Sequence, residues 1–137
     1  MTTTVVEGGC LCGTIRYRAV GEPTNGTLCH CRTCRRAAGA PVVAWVTFPS
    51  RGFAIVSGTP TRYRSSAKVL RTFCGACGTP LTYAHDDFPT GVDVTVCSLD
   101  DPEGFPPADH TWVSHRLRWL PGDESLPTYP ETRPDPT

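Results

Sequence analysis

The chain lacks an excess of charge of either sign, a long hydrophobic run and an internal repeat. Thirteen lysine and arginine residues balance thirteen aspartate and glutamate residues, so no overall field would attract nucleic acid or a membrane surface. No apolar run approaches the roughly 20 residues of a transmembrane helix. Residues 1–7 lack the basic start and the apolar core of a signal peptide. With 137 residues, 39% of them hydrophobic, the sequence predicts one globular domain that binds neither nucleic acid nor membranes.

Cysteine, in contrast, is abundant and clustered. Thiolates around one tetrahedral zinc ion lie about 3.8 Å apart, a spacing that cysteines one or two residues apart on a turn can provide. Disulfides are the alternative, but a bridge within such a cluster closes a very small loop and constrains the unfolded chain little. Zinc sites are therefore predicted, and reduced thiols indicate the cytoplasm. Seven of the eight cysteines form the three clusters Cys10-x-Cys12, Cys29-x-Cys31-x-x-Cys34 and Cys74-x-x-Cys77.

The number of cysteines in each cluster predicts two zinc ions with different coordination. A structural zinc usually has four protein ligands, whereas a catalytic zinc keeps three and leaves one position for water or substrate. The simplest partition gives the closed, structural site the four ligands Cys10, Cys12, Cys74 and Cys77. A second zinc with an open position is then bound by Cys29, Cys31 and Cys34.

Short strands separated by turn residues are predicted for most of the chain. Alternation with a period of two indicates a half-buried strand at Gly13–Val20. Further strands are predicted at Pro41–Phe48, Phe53–Val56, Thr61–Arg64, Val69–Phe73, Pro80–Ala84 and Val92–Cys97.

A helix is predicted only at Thr33–Ala38, where Gly39 and Pro41 end it. It places Cys34 near a helix start, where the helix dipole favours a thiolate. Residues 1–120 are therefore predicted to form one zinc-binding domain. The proline-rich residues 121–137 are predicted to form an extended tail without a core of its own.

Three motifs carry a family resemblance: residues 8–13 (GGCLCG), 29–34 (CHCRTC) and 73–78 (FCGACG). In this order and spacing they resemble the glutathione-dependent formaldehyde-activating enzyme family, also called the centromere-protein-V-like family. Residues 98–102 (SLDDP), 110–112 (HTW) and Trp119 also resemble the C-terminal half of that family. The resemblance extends from about residue 5 to about residue 120.

The resemblance implies a mainly β architecture, an Mss4-like β-tent of antiparallel sheets. It also implies a structural zinc at Cys10, Cys12, Cys74 and Cys77. A second zinc is implied at Cys29, Cys31 and Cys34, and both sites match the partition by ligand number. The activity that gives the family its name is the condensation of formaldehyde with glutathione to S-(hydroxymethyl)glutathione, classed as a carbon–sulfur lyase reaction.

The predicted function is therefore that of a zinc-dependent carbon–sulfur lyase-type enzyme with Cys29, Cys31 and Cys34 at its catalytic centre. A small-molecule thiol such as glutathione would bind the open zinc as a thiolate and attack a small aldehyde such as formaldehyde. A carboxylate of the thiol could be held by guanidinium groups, although a solvated basic face is the alternative. The candidates for that contact are Arg32, Arg35 and Arg36.

Two other functions compete with this one. The first is a non-enzymatic zinc-binding module in which both zinc ions are structural. The second is an arrangement similar to that of methionine sulfoxide reductases. In that arrangement Cys31 and Cys34 would share one zinc with Cys74 and Cys77, and Cys97 would be the nucleophile.

Three further residues have alternative roles. Cys97 stands where the family usually has a small residue such as glycine; it is predicted to be a buried hydrophobic side chain, with a fourth zinc ligand or a reactive thiol as alternatives. His30 is predicted to be a solvent-facing or supporting imidazole, and otherwise a proton donor near the open zinc position. His110 would either pack against the strand that contains Trp112 or touch the substrate.

Overall fold

The computed structural model describes residues 4–122 and 125–134. Within these ranges the chain forms ten strands and one α-helix, and short 3-10 turns lie at Ser50–Gly52, Val96–Ser98, Pro102–Gly104 and Val113–His115. The helix α1 is Arg32–Ala38. The strands are β1 (Val5–Gly9), β2 (Arg16–Val20), β3 (Thr24–Cys29), β4 (Val43–Pro49), β5 (Phe53–Ser57), β6 (Thr61–Ser66), β7 (Val69–Phe73), β8 (Pro80–His85), β9 (Gly91–Thr95) and β10 (Asp109–Thr111).

The strands form two sheets, one of three strands and one of seven. The small sheet has the order β1-β2-β5, and the large sheet has the order β10-β3-β4-β9-β8-β7-β6. Every pair is antiparallel except β3 with β10, which is parallel and makes the large sheet mixed. The structure confirms the predicted mainly β architecture with one short helix.

The main hydrophobic core lies between the two sheets. Tyr17 of β2 and Val94 of β9 are fully buried there and belong to the same hydrophobic cluster. The Tyr17 hydroxyl group lies 2.6 Å from the hydroxyl group of Ser98, so its polar end is also satisfied. A side chain at Gly8 of β1 would collide with the ring of Tyr17. The close approach of β1 to the core therefore requires glycine at this position.

The opposite face of the large sheet lines a cavity. Successive side chains of a strand point to opposite faces. On β4, Val46 packs in the core between the sheets, whereas Trp45 and Thr47 line the cavity. On β9, Val94 packs in the core and Asp93 lines the cavity. The alternation thus positions a second set of side chains away from the core.

The sequence did not predict β1, β3 and β10. The predicted strands at Gly13–Val20, Pro41–Phe48 and Val92–Cys97 are each shorter in the structure. The residues of β3 include Asn25, whose φ of +56° lies in the left-handed region, and a register shift against β4. The sequence pattern of β3 therefore resembles that of a turn. The pattern of β1 is weak because the strand ends in two glycines, and β10, with three residues, is too short to show an alternation. Gly13 turns the chain before β2, and a 3-10 turn ends β9 at Thr95.

The segment after Pro121 runs beside β10. The N–H of His110 donates to the carbonyl of Pro127, and the N–H of Tyr129 donates to the carbonyl of His110, both at 2.9 Å. Residues 123, 124 and 135–137 of the predicted tail lie outside the described residues. The division into a domain and a tail stays a prediction.

Within the described part of the chain, no helix has both the length and the apolar character needed to span a membrane.

Candidate functional site

The first cysteine cluster, Cys10, Cys12, Cys74 and Cys77, joins two turns that lie far apart in the sequence. Its four Sγ atoms lie within 4.8 Å of one another. The Sγ of Cys12 lies 3.6 Å from that of Cys10 and 3.8 Å from that of Cys74. These distances match the spacing of about 3.8 Å between thiolates around tetrahedral zinc. The cluster could therefore hold one metal ion with four thiolate ligands.

Two similar turns build this first cluster. The N–H of Gly13 donates to the carbonyl of Cys10 at 3.1 Å, and the N–H of Gly78 donates to the carbonyl of Cys74 at 2.8 Å. Both glycines have a left-handed φ, +80° and +83°, which a glycine adopts at little cost. The N–H of Ile15 also donates to the Sγ of Cys10 at 3.2 Å, which stabilises negative charge on that sulfur.

The second cysteine cluster, Cys29, Cys31 and Cys34, lies where β3 passes into α1. Its three Sγ atoms lie within 4.8 Å of one another. Cys31 is the N-cap of α1, and its Sγ accepts the N–H of Cys34 at 3.2 Å. Cys29 and Cys34 are buried, and Cys31 is partly exposed. The local fold thus gathers three thiols that could hold a second metal ion.

The three thiols of the second cluster differ in acidity. Side-chain contacts from Cys29 and then Cys34 lower the pKa of the Cys31 thiol, and Arg71 lowers it further. Contacts with Cys31 and Cys34, together with burial, raise the pKa of the Cys29 thiol. The thiolate is the form of cysteine that binds metal ions, and the Arg71 charge favours it at Cys31.

A cavity of about 690 Å³ adjoins the second cluster, whose three cysteines all line it. None of the four cysteines of the first cluster is among the described residues that line this cavity. Aromatic side chains of Trp45, Tyr83 and Trp112 form part of the wall. The volume lies within the range of about 300–1,000 Å³ that is typical of small-molecule sites. Of the two clusters, the second is thus the one open to a small ligand.

Arg71 of β7 brings a positive charge to the second cluster. Its side chain is buried, its Nη2 lies 3.6 Å from the Sγ of Cys34, and its Nε donates to the hydroxyl group of Ser65 at 3.1 Å. The guanidinium group also lies over the ring of Tyr83, 5.1 Å from the centroid. Arg71 therefore offsets the negative charge of thiolates at the edge of the cavity.

His30 and His110 form a buried pair behind the second cluster. The Nε2 of His30 lies 2.9 Å from the Nδ1 of His110, and the rings are stacked with centroids 5.1 Å apart. Burial, with a smaller effect of His110, lowers the pKa of His30 to about 4. The expectation of a solvent-facing His30 is wrong, because His30 is 2% exposed. The pair ties the turn between Cys29 and Cys31 to β10.

Residues 5–115 match the family model described as glutathione-dependent formaldehyde-activating enzyme. The match covers both cysteine clusters and most of the strands that line the cavity. The chain belongs to this family.

Two relatives of this member of the glutathione-dependent formaldehyde-activating enzyme family carry enzyme names. A protein of Schizosaccharomyces pombe named as an uncharacterized lyase is 34% identical over 79 residues, which cover 58% of this chain and 57% of that protein. The chain thus spans little more than half the length of that relative. A protein of Halomonas elongata, provisionally named a glutathione-dependent formaldehyde-activating enzyme, is 26% identical over 125 residues. Those residues cover 85% of this chain and 80% of that protein.

A solved structure of a Rhodobacter sphaeroides protein has a similar fold. The TM-score is 0.58 at 19% sequence identity, and the match covers 90% of this chain and 98% of that one. At this identity the likeness supports the fold alone.

In this family member, the three arginines predicted to bind substrate lie on α1 but do not line the cavity. Arg32 and Arg36 are exposed. The Nε of Arg35 donates to the carbonyl of His30 at 3.3 Å. The arginines that do line the cavity are Arg71 and Arg133.

Cys97 belongs to neither cysteine cluster, so the proposal that it supplies a fourth ligand to the second cluster is wrong. The prediction of a buried Cys97 is also wrong, because the 3-10 turn Val96–Ser98 buries Val96 and exposes the next side chain. The reductase-like arrangement is wrong as well, since Cys31 and Cys34 lie in a different cluster from Cys74 and Cys77.

Several cavity residues were missed from the sequence. Arg71, Asp93 and Arg133 are charged residues whose side chains reach the cavity from β7, β9 and the segment after β10. The only signal in the sequence was a single charged residue within each of two mostly hydrophobic strand patterns, Val69–Phe73 and Val92–Cys97. Alternation predicts that such a residue faces away from the core, but it does not predict that several strands meet around a cavity.

Proposed function

We propose that this protein is a zinc-dependent enzyme that forms or cleaves the adduct of a small-molecule thiol with a small aldehyde, as in S-(hydroxymethyl)glutathione formation. The observation that carries the proposal is the position of three thiols at the edge of a cavity of small-molecule size. Family membership supports the same chemistry. We also infer that zinc occupies both clusters, because closely spaced thiolates are typical zinc ligands.

Zinc held by three thiolates at Cys29, Cys31 and Cys34 would supply an open position at which an incoming thiol loses its proton. The protein's own residues serve this chemistry in two ways. Arg71 offsets negative charge at Cys34. Trp45 and Tyr83, with ring centroids 5.9 Å apart, give the cavity an apolar wall that limits water around the thiolate.

The proposed reaction is an addition to a carbonyl group. The thiolate sulfur forms a bond to the aldehyde carbon, the π electrons of the carbonyl group move to its oxygen, and a proton from solvent completes the hydroxyl group. Cleavage is the reverse: the C–S bond breaks and the aldehyde and thiolate are released. No oxidant or reductant is needed in either direction.

Replacement of Cys31 tests this proposal. Formaldehyde and thiols combine without a catalyst, so the exchange rate between glutathione and its hydroxymethyl adduct should be measured by NMR with and without protein. Wild-type protein should increase the exchange rate at least about tenfold over background, and Cys31→Ser should return it to background. X-ray absorption at the zinc edge gives a second measurement, with a change towards an all-sulfur second site on addition of thiol.

A wild-type rate at background with several thiols and aldehydes would contradict the enzymatic function. In that case the protein would be a zinc-binding module with two structural sites.

A further inference from the structure

The balance of charges around the cavity determines which thiol it can accept. Two arginines line the cavity, and both are already paired. Arg71 contacts Cys34 and Ser65. Arg133 makes a bidentate contact with the carboxylate of Asp109, with N–O distances of 2.8 to 3.1 Å. Both guanidinium groups are therefore already engaged by side chains of the protein.

The carboxylate of Asp93 is the opposite case. It projects from β9 between its neighbours on β4 and β8, Thr47 and Tyr83. Its Oδ1 accepts the hydroxyl group of Thr47 at 2.6 Å. Among the residues that the structure describes, no lysine or arginine forms an ion pair with it; Arg133 influences it only from a greater distance. Asp93 thus presents to the cavity a carboxylate that has no ion-pair partner among the described residues.

This carboxylate is costly to the protein when the cavity is empty. Burial raises the pKa of Asp93 to about 6, although the Thr47 hydroxyl group favours the ionised form. An ionised group in such surroundings is stabilised strongly by a cation that arrives with a ligand, because the interaction takes place away from bulk water.

We propose that the cavity selects thiols that carry a primary ammonium group, which Asp93 binds while the thiol sulfur lies at Cys29, Cys31 and Cys34. This inference rests on the proposed function, since it assigns the second part of the substrate of the same site. The cavity volume of about 690 Å³ has room for a thiol of this kind together with a small aldehyde.

The matched probes are cysteamine and 2-mercaptoethanol, which differ in one group, an ammonium in place of a hydroxyl. Their dissociation constants for the zinc-loaded full chain are measured by titration calorimetry at pH 7.5. Because the two thiols differ in intrinsic acidity, the quantity that matters is the ratio of their dissociation constants in each variant. Asp93→Asn should reduce the preference for cysteamine at least tenfold and change the dissociation constant of 2-mercaptoethanol less than twofold.

Glu22→Gln is the control for loss of one negative charge at the cavity. Glu22 is exposed and lines the cavity from the loop before β3, so its replacement should change the ratio less than twofold. A near-ultraviolet circular dichroism spectrum of Asp93→Asn should match that of the wild type, which excludes unfolding as the cause.

One result would overturn the inference and leave the proposed function intact: an unchanged ratio of the two dissociation constants in Asp93→Asn, whether both affinities stay the same or both fall equally. Failure of both thiols to bind wild-type protein would instead overturn the proposed function and the inference together. Comparison of glutathione with N-acetylated glutathione repeats the test on a larger ligand, and the acetylated form should bind more weakly only where Asp93 is present.

Discussion

The two cysteine clusters use the same ligand chemistry in opposite structural settings. In the first cluster, Cys12 and Cys74 are 62 residues apart in the sequence and their sulfurs are 3.8 Å apart. The second cluster takes all its ligands from the six residues Cys29–Cys34. Closing a long loop costs more chain entropy than closing a short one, so a metal ion at the first cluster restricts the unfolded chain more. Sequence separation therefore distinguishes a stabilising cluster from a local one.

The two clusters also differ in whether a small molecule can reach them from the cavity. The first cluster packs against the core between the sheets, where Cys10 and Cys74 belong to the same buried cluster as Tyr17. The second cluster lines the cavity on the far side of the large sheet, beside Arg71. A site that holds the fold together gains nothing from an open cavity, whereas a reactive site requires one. Effects on stability and effects on reactivity should therefore separate between the two clusters.

The largest change in stability is expected for Cys74→Ser. Loss of one of four ligands should weaken metal binding that is coupled to folding, and the free energy of unfolding should fall by at least about 4 kcal/mol. Thermal unfolding and metal analysis measure this effect. Cys97→Ser is the matched control, because Cys97 is exposed and lies in neither cluster; its unfolding midpoint should not change. Unchanged metal content and midpoint in Cys74→Ser would contradict a structural first cluster.

The sequence predicted the cysteine partition better than the cavity. Ligand spacing is a local property, and the structure brings Cys10 and Cys12 to Cys74 and Cys77 as predicted. The cavity depends on strands that pair over long distances, such as β3 with β10, and on Arg133 from beyond β10. Alternation along one strand determines which face a residue occupies, but not which strands lie beside it. For this reason the sequence points to the arginines next to the cysteines, whereas the structure places Arg71 in the cavity lining.

The second largest effect is expected at the ion pair between Asp109 and Arg133. Both side chains are mostly buried, with exposed fractions of 10% and 16%. Asp109→Asn would leave the Arg133 guanidinium without its counter-ion, so unfolding should become easier by about 2–4 kcal/mol. The control is Asp100→Asn, which breaks the exposed pair with Arg16 and should cost about 1 kcal/mol or less. Denaturant unfolding compares the two.

Equal effects in these two variants would contradict a larger contribution of the buried pair between Asp109 and Arg133 to stability.

A smaller effect, of opposite sign, is expected for Asp93→Asn. The pKa of Asp93 is raised to about 6 in the folded protein from 3.8. The pKa of Asp93 is higher in the folded protein than in the unfolded chain. Protonated Asp93 therefore favours folding at low pH, and its contribution to the free energy of unfolding is lost as the pH rises from about 4 to about 6. At pH 7.5 the asparagine variant should therefore be more stable than wild type by about 1–3 kcal/mol, an upper range because Asp93 is partly exposed to the cavity.

The difference between the two proteins in free energy of unfolding, measured by denaturant titration, should grow between pH 5 and pH 7. A difference that is independent of pH would contradict the raised pKa of Asp93. A gain in stability together with a loss of cysteamine binding would show that the buried carboxylate is kept for ligand binding and not for the fold.

The smallest change in stability is expected for Cys31→Ser, although this variant should lose the proposed activity completely. Cys31 is both a candidate metal ligand in the second cluster and the N-cap of α1, where its Sγ accepts the N–H of Cys34. Serine is among the best N-cap residues, so the cap should survive the replacement while the soft thiolate ligand is lost. The remaining loss of stability comes from the metal ion, which would no longer restrain a turn of six residues. The contact between His30 and His110 also restrains this turn, by joining it to β10. The free energy of unfolding should therefore change by about 1 kcal/mol or less, while metal content falls from two ions to one.

Cys31→Ala provides the comparison, because alanine removes both the ligand and the cap and should cost about 1 kcal/mol more. If Cys31→Ser instead unfolds as readily as Cys74→Ser, the second cluster is structural, and the difference between the two clusters lies only in their access to the cavity.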